Sequence, residues 1–158
     1  MKLISMDIND GAKLPERHVF NDMGYSGENL SPHLAWDEVP DGTKSFVVTC
    51  FDPDAPTGSG WWHWVVANLP GDTRELPRGA GSGTAPLPRG AIQTRTDFGT
   101  AGYGGAAPPA GESHRYIFTV HALDVPAIKV DENASGAMVG FNVHFHSLGQ
   151  ASLTAWYI

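Results

Sequence analysis

The chain has 158 residues, a length that corresponds to a single domain over residues 1–158. Its 10 Lys and Arg against 17 Asp and Glu give a net charge of −7, which disfavours nucleic acid and anionic membranes as partners. Nineteen Gly, 12 Pro and a charged fraction of only 17% predict a chain that turns often and contains little helix.

Three segments rich in aromatic and β-branched residues predict the strands of a sheet. The first, residues 45–51, accumulates such side chains and is typical of a strand covered on both faces. The second, WWHWVVANLP, alternates, so Trp62, Trp64 and Val66 are expected on the face opposite Trp61, His63 and Val65. The third, HRYIFTVHALD, places one set of side chains on a common face: His114, Tyr116, Phe118, Val120 and Ala122.

Residues 70–113 separate the second and third strands and are dense in Gly and Pro. So long a stretch without periodicity favours functional loops over a linker between domains. Beyond the third strand, VGFNVHFH fits either a strand or a helix. Capping residues at 131–135 and a terminating Gly149 favour a helix over about 134–148, followed by a last strand over 151–157.

The densest group of chemically active residues lies around the DPDAP turn. Asp52 and Asp54 flank Pro53 where a strand ends, and His63 lies near the start of the returning strand. A nearby carboxylate favours the cationic imidazole, so either aspartate is expected to hold His63 as a donor to an anion. The alternative is that both aspartates make turn hydrogen bonds and that His63 is an ordinary core residue.

A second pair of donors follows the Pro108-Pro109 turn. His114 and Tyr116 are two residues apart on a strand and therefore share a face. An imidazole and a phenol in an aromatic surrounding are suited to phosphate or carboxylate oxygens. The alternative is an edge strand with exposed polar residues.

Other motifs give little support to a metal or a cofactor. GYGG leads to two prolines rather than to a phosphate-binding Lys-Ser or Lys-Thr pair. His121, His144 and His146 converge on a metal only if the last two lie on a strand. Cys50 is the only cysteine, so no intrachain disulfide can form. No apolar segment has the length of a signal peptide or a membrane span, and we expect a cytoplasmic protein.

Together these segments resemble the phosphatidylethanolamine-binding protein family, in particular its bacterial Raf-kinase-inhibitor-like branch. The resemblance is carried by NLSPHLAWDEVP, by TKSFVVTCFDPDAPTGSGWWHWVVANLP, by FGTAGYGGAAPPAGESHRYIFTVHALD and by the closing ASLTAWY. These segments cover most of the chain.

The resemblance implies a mainly β domain in which a large antiparallel sheet packs on a smaller one, with a few peripheral helices. It also implies a C-terminal helix near the mouth of a small anion-binding cavity and a cis peptide within the DPDAP turn. The pocket positions carried over from the family are six: Asp52, Asp54, His63, Pro109, His114 and Tyr116. Trp62 stands where many eukaryotic relatives carry a second histidine, which makes the expected pocket wall more apolar.

We therefore expect a non-catalytic protein that binds phosphate or a phosphoethanolamine-like head group. In this hypothesis His63 and His114 form charged hydrogen bonds, Asp52 orients His63, and Tyr116 donates from the rim. The resemblance further implies a homodimer and a regulatory partner such as a protein kinase or protease, with no cofactor and no metal. The alternative is a hydrolase that uses the histidines and aspartates for acid-base chemistry on a phosphoester or ester.

Overall fold

The computed structural model describes residues 1–158, and its strands account for most of the regular structure. One α-helix and one turn of 3-10 helix complete it. In chain order the elements are β1 (Lys2–Ile4), the 3-10 turn (Glu16–His18), β2 (Leu34–Asp37), β3 (Ser45–Asp52), β4 (Trp61–Pro70), β5 (Glu75–Leu76), β6 (Ile92–Gln93), β7 (His114–Leu123), α1 (Gly136–His146) and β8 (Ser147–Tyr157).

The strands form two antiparallel sheets. The larger has the order β6-β4-β3-β7-β8, and the smaller has the order β1-β2-β5. Their facing sides enclose the main core, in which the Trp36 ring of β2 lies 5.4 Å from the Phe46 ring of β3. The predicted mainly β architecture, a large sheet packed on a smaller one, is confirmed, with one α-helix where several peripheral helices were expected.

β7 alternates as the sequence predicts. Tyr116, Phe118 and Val120 belong to the core between the sheets, whereas His121 on the opposite face lies in a cavity beneath α1. A second, smaller core fills that side, where Val65 of β4 packs with Val139 of α1. The central sheet is therefore covered on both faces.

β4 departs from simple alternation near its start. Cys50 pairs with Trp64 and Phe51 pairs with Trp62, which leaves His63 without a residue opposite. Such a bulge shifts the alternation by one residue. Trp62 therefore packs on the α1 side, while His63 points to the same side as Trp64. The prediction that Trp62 and Trp64 share a face is wrong for this reason.

The predicted C-terminal helix is confirmed as α1. Its N-cap is Ser135, whose Oγ accepts a hydrogen bond from the Met138 backbone at 3.1 Å. The helix ends at His146, before the predicted end at 148, because Ser147 already pairs with Leu123 of β7. With 11 residues, this helix is too short to cross a membrane, and no other candidate span exists.

The Gly/Pro-rich stretch 70–113 contains only the two-residue strands β5 and β6 and otherwise consists of loops. These loops pack back on the large sheet, so the stretch is no linker. Gly104, for example, donates its backbone N–H to the His63 carbonyl at 2.9 Å. All peptide bonds are trans, and the expected cis bond in the DPDAP turn is therefore wrong.

Candidate functional site

A small cavity of about 170 Å³ opens where the ends of β3, β4 and β7 meet the loops. It begins at the DPDAP turn and is closed on the other side by the Gly/Pro-rich stretch. The residues that line it are Met23, Asp52, Ala55, Pro56, Thr57, Trp61, His63, Phe98, Ala107, Pro109 and His114. The antiparallel neighbours β3, β4 and β7 thus bring chain segments far apart in sequence to one edge of the sheet.

His114, the first residue of β7, is buried and bonded at both ring nitrogens. Nδ1 donates to Asp52 Oδ2 at 2.7 Å, and Nε2 donates to Glu112 Oε1 at 3.3 Å. Burial lowers the pKa of this imidazole, but the two carboxylates outweigh it and raise the pKa above its usual value of 6.5. His114 therefore keeps its proton to a higher pH than an ordinary histidine does.

His63 is also buried, but its environment is different. Its Nδ1 donates to the Gly104 carbonyl at 2.7 Å, and its ring stands edge-on to those of Phe98 and Tyr116. Burial lowers the pKa of His63, and the bond to Gly104 offsets this only in part. A side chain at residue 104 would collide with the Phe98 ring, so glycine permits this close backbone contact.

The two aspartates of the DPDAP turn have separate roles. Asp52 accepts from His114 at Oδ2 and from the Asp54 backbone at Oδ1, 2.8 Å away. Asp54 lies outside the cavity lining and accepts hydrogen bonds from Nε, Nη2 and the backbone N–H of Arg115. Its hydrogen bonds to Arg115 lower the pKa of Asp54 to about 2.

The expected orientation of His63 by Asp52 is wrong, because Asp52 uses its free oxygen on His114. Asp52, His63, Pro109 and His114 are brought together in one cavity wall. Tyr116 is 1% exposed and lies behind His63, with ring centroids 5.1 Å apart. Its hydroxyl has no hydrogen-bond partner and does not reach the cavity rim; burial raises its pKa.

Several residues of this site were missed by sequence reasoning, and three of them shape its chemistry. Trp61 lines the cavity, and its buried indole N–H has no partner; its spacing of two residues from His63 was a usable signal. Phe98 packs against Trp61 with ring centroids 5.4 Å apart. Glu112 contacts His114 from two residues upstream. The helix α1, expected near the mouth of the cavity, contributes no residue to its lining.

A second cavity of about 340 Å³ lies on the other face of the large sheet, beneath α1. Trp62, His121 and His144 are among its lining residues, and no Asp, Glu, Lys or Arg is. The Nδ1 atom of His121 is buried without a partner, and burial lowers the pKa of this histidine to about 4. No group of three or more His, Cys, Asp or Glu side chains is arranged to hold a metal ion.

The structure is a β-sandwich with a cavity lined by histidine and aspartate at one edge of the large sheet. Comparison with known families identifies the family that shares this fold. Residues 4–158 match the family model of the phosphatidylethanolamine-binding proteins. The chain belongs to this family.

Two Escherichia coli K12 proteins are similar to the chain over nearly its whole length. The UPF0098 protein YbhB is 75% identical over 157 residues, which is 99% of each chain. The UPF0098 protein YbcL is 50% identical over 99% of this chain and 86% of its own.

Solved structures agree with the fold. The crystal structure of YbcL, described as a new member of the mammalian family, superposes with a TM-score of 0.95 and covers 99% of this chain and 96% of its own. The family homologue CT736 of Chlamydia trachomatis superposes with a TM-score of 0.84 at 28% identity, with the same coverage.

Proposed function

We propose that the protein binds a small phosphate-like anion, free or as the head group of a phospholipid, in the cavity between His63 and His114, without chemical conversion. The observation that carries this proposal is His114. Below about pH 6.5 it is a buried cation that lines a cavity, and its second nitrogen is held only by a half-exposed carboxylate. An anion can take over that N–H at small cost because exposed ion pairs are weak.

The size of the cavity supports a small ligand. At about 170 Å³ it lies below the roughly 300–1,000 Å³ of pockets for drug-sized molecules. Each hydrogen bond to a charged partner contributes about 1.5–3 kcal/mol. With one or two such bonds and little apolar contact, we expect a Kd on the order of micromolar to millimolar.

Calorimetric titration of inorganic phosphate at pH 6 tests this proposal. We expect the His114→Gln variant to lose about tenfold or more in affinity, because the amide keeps a donor but not the positive charge. His144→Gln is the matched control, since His144 lies on α1 outside this cavity. Equal phosphate affinity in the wild type and in His114→Gln would remove the cavity as the binding site.

The alternative, a hydrolase, has one observation in its favour, the Asp52–His114 pair at 2.7 Å, which is suited to general base catalysis. The nucleophile is the weak point of this alternative. Thr57 is the one hydroxyl residue of the cavity lining, and its Oγ1 donates to the Gly60 carbonyl. Turnover of p-nitrophenyl phosphate that is abolished in His114→Gln and retained in His144→Gln would favour the hydrolase over the binding protein.

We further propose that the chain forms a homodimer through the outer face of α1. Three apolar side chains of α1 and one at the start of β8 are exposed to solvent, with exposed fractions between 41% and 63%: Met138, Phe141, Phe145 and Leu148. The rings of Phe141 and Phe145 lie 5.1 Å apart and form one patch. Such patches commonly mark contact surfaces between proteins.

Light scattering coupled to size exclusion tests the dimer. We expect a dimer for the wild type and a monomer for Phe141→Asp, while Glu132→Lys, at an exposed position outside the patch, stays dimeric. A monomeric wild type would refute the proposal. The cytoplasmic location and the kinase or protease partner stay predictions that follow from the sequence.

A further inference from the structure

The hydrogen bond between His63 and Gly104 determines which nitrogen of the imidazole carries the proton. The Gly104 carbonyl can only accept, so Nδ1, 2.7 Å away, is the protonated nitrogen. In a neutral ring Nε2 then carries a lone pair and acts as an acceptor. Burial favours the neutral ring, since it lowers the pKa of His63.

His63 lines the cavity with Nδ1 already bonded to Gly104, so Nε2 is the nitrogen left to meet a ligand. A fully deprotonated oxyanion offers only acceptors. If such an anion lay next to His63, a lone pair of its oxygen would face the lone pair of Nε2. The imidazole nitrogen would then stay without a hydrogen bond.

The other polar groups of the cavity add acceptors and few donors. Both oxygens of Asp52 are already occupied, by His114 and by the Asp54 backbone. Glu112 brings a carboxylate next to the cavity. The side-chain donor on the cavity wall is the Nε2–H of His114, which Glu112 accepts in the free protein. A ligand that satisfies these groups must accept on one side and donate on the side of His63.

We propose that the cavity selects an oxyanion that carries its own proton, such as the monoanion of a phosphate monoester, and rejects an anion of the same shape and charge that lacks a hydrogen-bond donor. The deprotonated oxygens accept from His114, and the P–OH donates to His63 Nε2. This assignment rests on the proposed anion-binding function and specifies the class of anion.

Methyl phosphate and methyl sulfate form a matched pair of probes. At about pH 5.5 methyl phosphate is mainly the monoanion with one P–OH, and methyl sulfate has the same shape and charge but no proton. His114 is protonated at this pH, because its pKa is raised. Titration calorimetry on the wild-type protein is expected to show methyl phosphate binding on the order of tenfold to a hundredfold more tightly.

The variant His63→Gln extends the comparison. Its side-chain amide can donate as well as accept, so we expect methyl sulfate to bind more tightly than in the wild type and the preference to fall to about threefold or less. A measurement on the wild type does not depend on the folding of this variant. Nitrogen-15 NMR of the imidazoles is expected to show His63 Nε2 as the unprotonated nitrogen in the free protein and to shift that signal when methyl phosphate binds.

The outcomes separate this inference from the proposed function. If the wild type binds both esters equally, or if NMR shows a protonated His63 Nε2 in the free protein, anion binding stands and the selection for a protonated anion is wrong. If the wild type binds neither ester at millimolar concentration, the proposed function itself fails, and the selection fails with it.

Discussion

The two faces of the large sheet each carry a cavity with two histidines, and strand β7 contributes one histidine to each. His114 at the start of β7 lines the cavity at the DPDAP turn, here called the inner cavity. His121 lines the cavity beneath α1, here called the outer cavity. Burial acts on both rings in the same direction, yet the pKa of His114 is raised and that of His121 is lowered to about 4. The difference comes from Asp52 and Glu112, since His121 has no carboxylate partner.

This comparison shows that burial alone does not decide which face of the sheet can hold an anion. A buried histidine without a partner is neutral and resists a charged ligand. A buried histidine beside a buried carboxylate stays charged, and any nitrogen left over is a strong donor. The inner cavity therefore suits the proposed anion, whereas the outer cavity has no Asp, Glu, Lys or Arg in its lining.

Replacing Asp52 is expected to have the largest effect, because it would make His114 resemble His121. In Asp52→Asn the buried imidazolium loses its carboxylate, and we expect about 3 kcal/mol lower stability at pH 6. A protonated histidine whose pKa is raised by folding stabilises the folded protein. This stabilisation is complete below the unfolded-state pKa of about 6.5 and is lost as the pH rises through the folded-state pKa. The deficit should therefore shrink by pH 9, measured by urea unfolding at both pH values.

Asp54→Asn is the matched control for this prediction. Asp54 is two residues away but pairs with Arg115, whose side chain is 57% exposed, and solvent screens such a pair. We expect a smaller loss of stability and unchanged phosphate affinity. If Asp54→Asn destabilises the protein as much as Asp52→Asn does, the buried pair is not what distinguishes the inner cavity.

The second largest effect is expected from replacing His121 in the outer cavity. A folded-state pKa of about 4 for His121 against about 6.5 unfolded means that the unfolded chain binds the proton first as pH falls. The free energy of unfolding is therefore expected to fall by up to about 3 kcal/mol between pH 6.5 and pH 4.

His121→Phe removes this proton uptake, and we expect its stability to fall less than that of the wild type between pH 6.5 and pH 4. Urea unfolding across this range measures the difference. His144→Phe, on the helix side of the same cavity, serves as the control for added aromatic bulk. An identical pH dependence in the wild type and in His121→Phe would contradict the assignment.

The sequence predicts much of this arrangement and fails at identifiable points. The alternation in β7 places Tyr116 and His121 on opposite faces, because the strand is regular there. The bulge at His63 leaves no trace in the pattern of apolar residues, so the faces of Trp61 and Trp62 relative to Trp64 could be known only from pairing with β3.

The hydrogen-bond partners within the site are a harder problem than the faces of strands. Asp52 and His114 are 62 residues apart, and proximity along the chain pointed to His63 instead. Which histidine meets the carboxylate depends on the order β4-β3-β7 and on the competing carbonyl of Gly104. No local spacing encodes either feature, although the motifs did bring the correct residue types to attention.

The smallest predicted effect concerns Glu112 beside the inner cavity. The outer cavity has no carboxylate in the corresponding role. Glu112 Oε1 lies 3.3 Å from His114 Nε2, and its side chain is 47% exposed. An incoming anion needs the same N–H and is repelled by the same charge. We therefore expect Glu112→Gln to bind phosphate about threefold to tenfold more tightly at pH 6, measured by calorimetry.

Glu132→Gln provides the control, since it removes the same charge at an exposed position outside the cavity. Because Glu112 also helps to raise the pKa of His114, its removal lets the ring lose its proton at a lower pH. The gain in phosphate affinity should therefore shrink as pH rises. A loss of affinity at pH 6 would mean that Glu112 helps to hold the anion instead of competing with it, and the inner cavity would then depend on both carboxylates.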